Sequence, residues 1–193
     1  MNKPNSFDDV NAGGDYTPIA TGGHHAVIMS VKEQKSSTGK DMIVVAIDFG
    51  KNDSQQGYFK AQFDNDNRAD KKWPYQAVQY IVTEDGAGKC SKSFKSFITS
   101  FENSNNTTTN WGDKFANQFK GKKIGVVYGE VEEEYNGEVK TRRRIRWFCN
   151  DAKVEEQKVP EKKYLPGAPA KPANSGDGDF MNVPEGIDEE IPF

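Results

Sequence analysis

Two cysteines and two histidines in 193 residues leave little material for thiol or metal chemistry. Cys90 and Cys149 lie far apart, so no Cys/His cluster with metal-ligand spacing arises. Free thiols are the expectation for such a pair in a reducing compartment. His24 and His25 are adjacent and would point to opposite faces of a strand, so a loop is expected for them. No run approaches the ~18 apolar residues of a membrane span. The N-terminal Met1-Asn2-Lys3-Pro4-Asn5-Ser6 lacks the apolar stretch of a secretory signal, which makes the cytoplasm the expected location. A Gly-rich phosphate loop ending in Lys-Ser/Thr is also missing. Asp64, Asp66 and Asp70 lack the glycine and closing glutamate of a calcium loop. With no carboxylate-and-base set either, the expectation is a protein that is not an enzyme and uses no metal or cofactor.

Apolar residues make up only 34% of the chain, too few for a core running its whole length. Charge is equally uneven. Residues 1–150 hold 21 Lys and Arg against 19 Asp and Glu, whereas residues 151–193 hold 5 against 10. From Asp177 onward there are six acids and no base. The net charge of −3 therefore conceals a body that has room for a basic stripe, followed by an acidic tail.

Periodicity predicts strands at 26–33, where Val27, Met29 and Val31 alternate with polar neighbours, and at 42–49, a near-continuous apolar run suited to a central position. A third strand is predicted at 57–63, with Phe59, Ala61 and Phe63 on one face and Tyr58, Lys60 and Gln62 on the other. Residues 64–121 read as a helical insertion. Helical spacing is expected at 75–82 and 91–101, the latter with a Phe94, Phe97, Ile98, Phe101 stripe, and a short helix at 111–119. The last two strands, 123–135 and 138–150, flank Asn136-Gly137, a dipeptide that favours a tight hairpin turn. Five strands plus an α insertion suit a mainly β fold, a five-stranded OB-type Greek-key barrel. Residues 1–150 then form the domain. The Pro-rich stretch 151–184 reads as a flexible linker, and 185–193 as an acidic tip on a disordered tail.

A two-residue turn at Asn136-Gly137 pairs Tyr135 with Glu138, and counting back puts Arg142 opposite Val131, Arg144 opposite Gly129 and Arg146 opposite Val127. Lys140, Arg142, Arg144 and Arg146 then share one face, with Phe148, and the three arginines face no carboxylate directly. Their spacing of about 6–7 Å per step approaches that of phosphates along an extended strand. Rings beside cations provide base-stacking platforms. Tyr58 beside Lys60, and Trp73 and Tyr75 beside Lys71-Lys72, are the candidates. Trp147 falls on the core side of this register. Lys35 and Lys40 bracket the first hairpin loop, a ligand-gripping position in OB barrels. These residues together suggest single-stranded DNA as the ligand. The tail intersperses acids with Ile191, Pro192 and Phe193, a composition suited to docking on a partner protein.

The terminal Glu189-Glu190-Ile191-Pro192-Phe193, preceded by Asp188, resembles at its last five residues the acidic tip of bacterial single-stranded DNA-binding proteins. The body is more similar to the single-stranded DNA-binding proteins of phages that infect Gram-positive bacteria. Its similar segments are Phe7-Asp8-Asp9-Val10 through Tyr16, residues 27–49, and Phe119-Lys120-Gly121-Lys122-Lys123 through Arg146-Trp147-Phe148. The resemblance covers 64–118 least. It implies an OB-type fold, protection of single-stranded DNA in phage replication and recombination inside the host cytoplasm, and a tip that recruits replication or recombination proteins. A protein-interaction adaptor and an RNA-binding OB domain are the alternatives, and the oligomeric state is left open.

Overall fold

The computed structural model describes Lys3 and residues 17–166. Five antiparallel strands form one sheet: β1 (Gly22–Lys35), β2 (Asp41–Phe49), β3 (Val78–Val82), β4 (Lys123–Tyr135) and β5 (Glu138–Cys149). Their order is β3-β2-β1-β4-β5. β1 is long enough to serve two partners. Its first residues pair with β4, from Gly22↔Tyr128 to Val27↔Lys123, and from Ala26 onward it pairs with β2. Among the described residues no ladder joins β3 to β5, so the sheet is open. Side chains span the gap instead. The Gln76 amide donates to the Arg143 carbonyl at 3.4 Å, and the Tyr128 hydroxyl donates to the Gln76 carbonyl at 2.7 Å.

β2 sits inside the sheet as its apolar run requires, buried at nearly every position. β1 departs from the simple alternation of Val27, Met29 and Val31. Ala26 and Ile28 point into the core, the register slips at Met29, and Val31 enters the core beyond it. A bulge is what lets one strand bend to serve two partners.

The third strand is β3 and not residues 57–63. That segment is helix α1 (Tyr58–Asp64). Phe59 and Phe63 satisfy a two-residue and a four-residue spacing alike, so their pattern is ambiguous between strand and helix. Here Asp48, at the buried end of β2, accepts from the Phe59 backbone N–H at 3.0 Å and ties α1 to the sheet. Burial holds the Asp48 carboxyl above its usual range despite the N–H groups it accepts from. Residues 75–82, predicted as helical, are a 3-10 turn at Tyr75–Ala77 followed by β3. The insertion at 64–121 is thus part strand.

Helix α2 (Lys92–Asn105) follows its aromatic stripe. Ser91 caps it by accepting from the Phe94 N–H, and Phe94, Phe97, Ile98 and Phe101 are all buried. Phe97 lies edge-on to Phe148 at 5.2 Å, which packs α2 onto β5. The 111–119 segment supplies a 3-10 turn at Phe115–Phe119 whose two phenylalanines join the same core.

Both histidines lie in β1 and not in a loop. His24 is buried, with Nδ1 at 3.0 and 3.2 Å from the Asp53 carboxylate oxygens and Nε2 at 2.9 Å from the Ala20 carbonyl. His25, on the other face, reaches Asp151 at 2.7 Å.

Residues 151–166, expected as the start of a flexible linker, are packed on the body. Val154 is buried with Val127 and Cys149. A Cβ on Gly125 would come within 2.6 Å of Cys149 Sγ and 2.8 Å of Val154 Cγ2, so only glycine admits this strap. Further on, Lys163 pairs in parallel with β4 at Val131, donating to the Glu130 carbonyl at 2.9 Å and accepting from the Glu132 N–H at 2.9 Å. It takes a stretch of the β4 edge that β1 does not reach. Residues 167–184 of the expected linker lie outside the described residues.

Cys90 is exposed and Cys149 buried, and both are free thiols. Burial, and after it the nearby Asp151 carboxylate, pushes the Cys149 thiol up to about 11. In a native titration with a thiol-specific disulfide reagent at pH 8, Cys90 should react at once and Cys149 only after unfolding. Rapid reaction of both would show that the strap opens readily. Among the described residues no helix is long and apolar enough to cross a membrane.

Candidate nucleic-acid interface

The β4–β5 hairpin extends beyond β1 as an arm. Asn136 and Gly137 both take positive φ, 53° and 78°, as the tight turn requires. Pairing runs from Tyr135↔Glu138 to Tyr128↔Ile145 in the register read from the sequence. It then slips, and Val127 pairs with Trp147. Arg146 is the extra residue of this bulge. Beyond it the strand's facing is reversed, as any one-residue slip demands. Phe148 therefore pairs with Val126 and is buried in the core, off the arginine face. Trp147 moves to the opposite face, 38% exposed.

Arg142 and Arg144 share a face as expected, opposite Val131 and Gly129. They are not free of carboxylates, however. Glu133 lies on that same face, and Arg144 grips it through Nε and Nη2 at 2.5 and 2.6 Å. Arg142 Nε lies 3.7 Å from the same carboxylate. Direct pairing had pointed only to the facing residue, whereas long side chains reach along the diagonal. Lys140 binds Glu138 at 2.8 Å. Arg146 donates to the Glu161 carbonyl of the strap at 2.9 Å. Arg144 also lies over the Tyr75 ring at 3.5 Å, and its Nη1 has no hydrogen-bond partner. Arg143, on the other face, donates to the Ile19 carbonyl and fixes the lead-in to β1.

Tyr75 is 46% exposed and joins the arginine face through Arg144. The other predicted platforms do not gather there. Tyr58 lies on α1, its hydroxyl donating to the Thr17 carbonyl at 2.9 Å, and Lys60 is held by Asp64 at 2.6 Å. Trp73 donates to the Ile47 carbonyl at 3.0 Å and packs 5.4 Å from Phe63. At the β1–β2 loop Lys35 binds Asp41 at 2.7 Å, while Lys40 makes no ion pair among the described residues. Asp188, Glu189, Glu190, Ile191, Pro192 and Phe193 lie outside the described residues.

Reading 75–82 as a helix concealed one further residue. Register places Lys32, Val44 and Tyr80 in one row across β1, β2 and β3, on the face opposite the core pair Ile43↔Ile81. Tyr80 is 46% exposed, and Lys32 makes no ion pair among the described residues. Two-residue alternation of Val78, Tyr80 and Val82 is the signal that would have found it. This outer face, with the β1–β2 loop at one side and the β4–β5 arm at the other, offers rings and cations. Among the described residues no three His, Cys, Asp or Glu side chains converge as ligands for a metal. No protein-family model and no curated protein matches the chain.

Proposed function

We propose that this protein binds single-stranded DNA without catalysing a reaction, through an OB-type barrel of the kind found in phage single-stranded DNA-binding proteins. The tail, with its tip at 185–193, would recruit replication or recombination proteins. The observation that carries the reading is the sheet order β3-β2-β1-β4-β5, with β1 shared between β2 and β4. It is the order of a five-stranded Greek-key barrel opened between its third and fifth strands, with α2 packed on the core between β3 and β4. In such barrels the face of the second and third strands, flanked by the first and last hairpin loops, takes oligonucleotides. Here that face carries Tyr80 on β3, with Lys32 of β1 in the same row, the first loop carries Lys40, and the last hairpin carries Lys140, Arg142 and Arg144, with Tyr75 beside Arg144.

The test is binding of labelled oligo-dT at two salt concentrations. Affinity should rise with length and fall with salt, as phosphate neutralisation requires. Tyr80→Ala should cost about 1–3 kcal/mol of binding, the worth of one stacked base. Absence of binding at low salt would sink the reading, and stronger binding to RNA of equal length would turn it toward the RNA-binding alternative.

A further inference from the structure

We propose that Trp111 is a second stacking platform, which takes an unpaired base of the same single strand beyond the end of β3. This rests on the single-strand reading above and extends the bound path past the barrel face. At 67% exposure Trp111 is the most exposed large apolar side chain among the described residues. Its ring is nevertheless held in place. It stacks on Phe115 at 5.3 Å and 16°, and meets Phe94 at 6.2 Å and 62°. Phe94 and Phe115 are both buried in the main core, so one side of the indole is anchored while most of its surface is in water. A tryptophan that only sealed the core would hide its own surface. One held flat and left open is suited to receive a base, and stacking needs no particular sequence.

Hydrogen bonds tie this shelf to the end of β3. The Ser91 hydroxyl accepts from the Phe94 N–H at 3.1 Å and donates to the Val82 carbonyl at 2.5 Å. The first turn of α2, and with it Phe94, on which Trp111 packs, is thereby tied to the end of β3. Charge points the same way. Lys89, Lys92, Lys95 and Lys114 are exposed and make no ion pair among the described residues, in contrast to the partnered cations of the arginine face. The nearby acids are Glu84, Asp85 and Asp113, and Asp85 is turned into its own loop, accepting from the Ala87 and Lys89 N–H groups. Four lysines without a carboxylate partner are free to meet phosphates.

Three tryptophans allow a direct readout. In a Trp73→Phe, Trp147→Phe variant, where Trp111 is the only emitter, saturating oligo-dT should quench the fluorescence. Trp111→Ala should weaken dT binding roughly 5- to 100-fold, with Trp111→Phe recovering most of it. Lys92→Gln, Lys95→Gln and Lys114→Gln together should flatten the salt dependence by about 2 in slope. Unmoved Trp111 emission, or Trp111→Ala binding dT as tightly as the wild type, overturns the proposal while leaving the barrel reading intact. So does loss of a protein partner in Trp111→Ala with dT affinity unchanged. Failure of the wild type to bind dT removes the barrel reading itself.

Discussion

Replacing His24 with alanine should lower the free energy of unfolding by about 3–5 kcal/mol, the range for truncating a large buried ring whose hydrogen-bond partner is left buried. The His24 and Asp53 side chains are only 4% and 5% exposed. His24 also stacks on Phe49 at 4.4 Å and lies edge-on to Tyr128, so its removal opens a gap among core rings. Asp53 accepts from the backbone N–H groups of His25 and Gln55 at 3.0 and 2.9 Å, and would remain buried without its side-chain partner. Urea unfolding measures the loss, and a cost below about 1 kcal/mol would show that the pair does not hold the start of β1. The same site gives a pH dependence. Burial pushes the Asp53 carboxyl up, but the His24 hydrogen bond and the backbone donors outweigh it and hold it below the ordinary carboxylate range. A carboxyl lowered in the folded state contributes stability that is whole above about pH 4 and is lost as pH falls through its folded value. Asp53→Asn should flatten that acid limb.

Glu133→Gln should tighten oligo-dT binding, roughly tenfold at low salt, with a steeper salt dependence. In the wild type this one carboxylate neutralises Arg144 in a two-point grip and stands beside Arg142. Removing its charge leaves both guanidinium groups on the outer face without a carboxylate. If both then meet phosphates, the single-strand salt slope should steepen by about 1.4. Arg144→Ala should act in the opposite sense and weaken binding, because the freed Glu133 would repel the strand. Equal affinities for wild type and Glu133→Gln would place the DNA path away from the arm.

The sequence by itself determined those features whose causes are local. Asn136-Gly137 set the hairpin register because both residues must accept positive φ, and the structure follows it for eight pairs, from Tyr135↔Glu138 to Tyr128↔Ile145. The Phe94, Phe97, Ile98, Phe101 stripe specified α2, and the near-continuous apolar run of 42–49 specified an interior strand. Tertiary structure decided the rest, and the reason is physical in each case. Phe59 and Phe63 fit either period, so contact with the end of β2 selected helix for α1, and the third strand fell to 78–82. A bulge at Arg146 reversed Trp147 and Phe148, because inward and outward facing depends on every residue counted before it. Glu133 reached Arg144 along the diagonal, a choice of side-chain rotamer that pairing counts do not contain. The strap at 151–166 has a composition that reads as linker, and it is held by surfaces far away in the chain: Gly125, Val127 and the edge of β4. Local chemistry thus drew the hairpin and the helix, and long-range packing decided which of their charges remain available to a ligand.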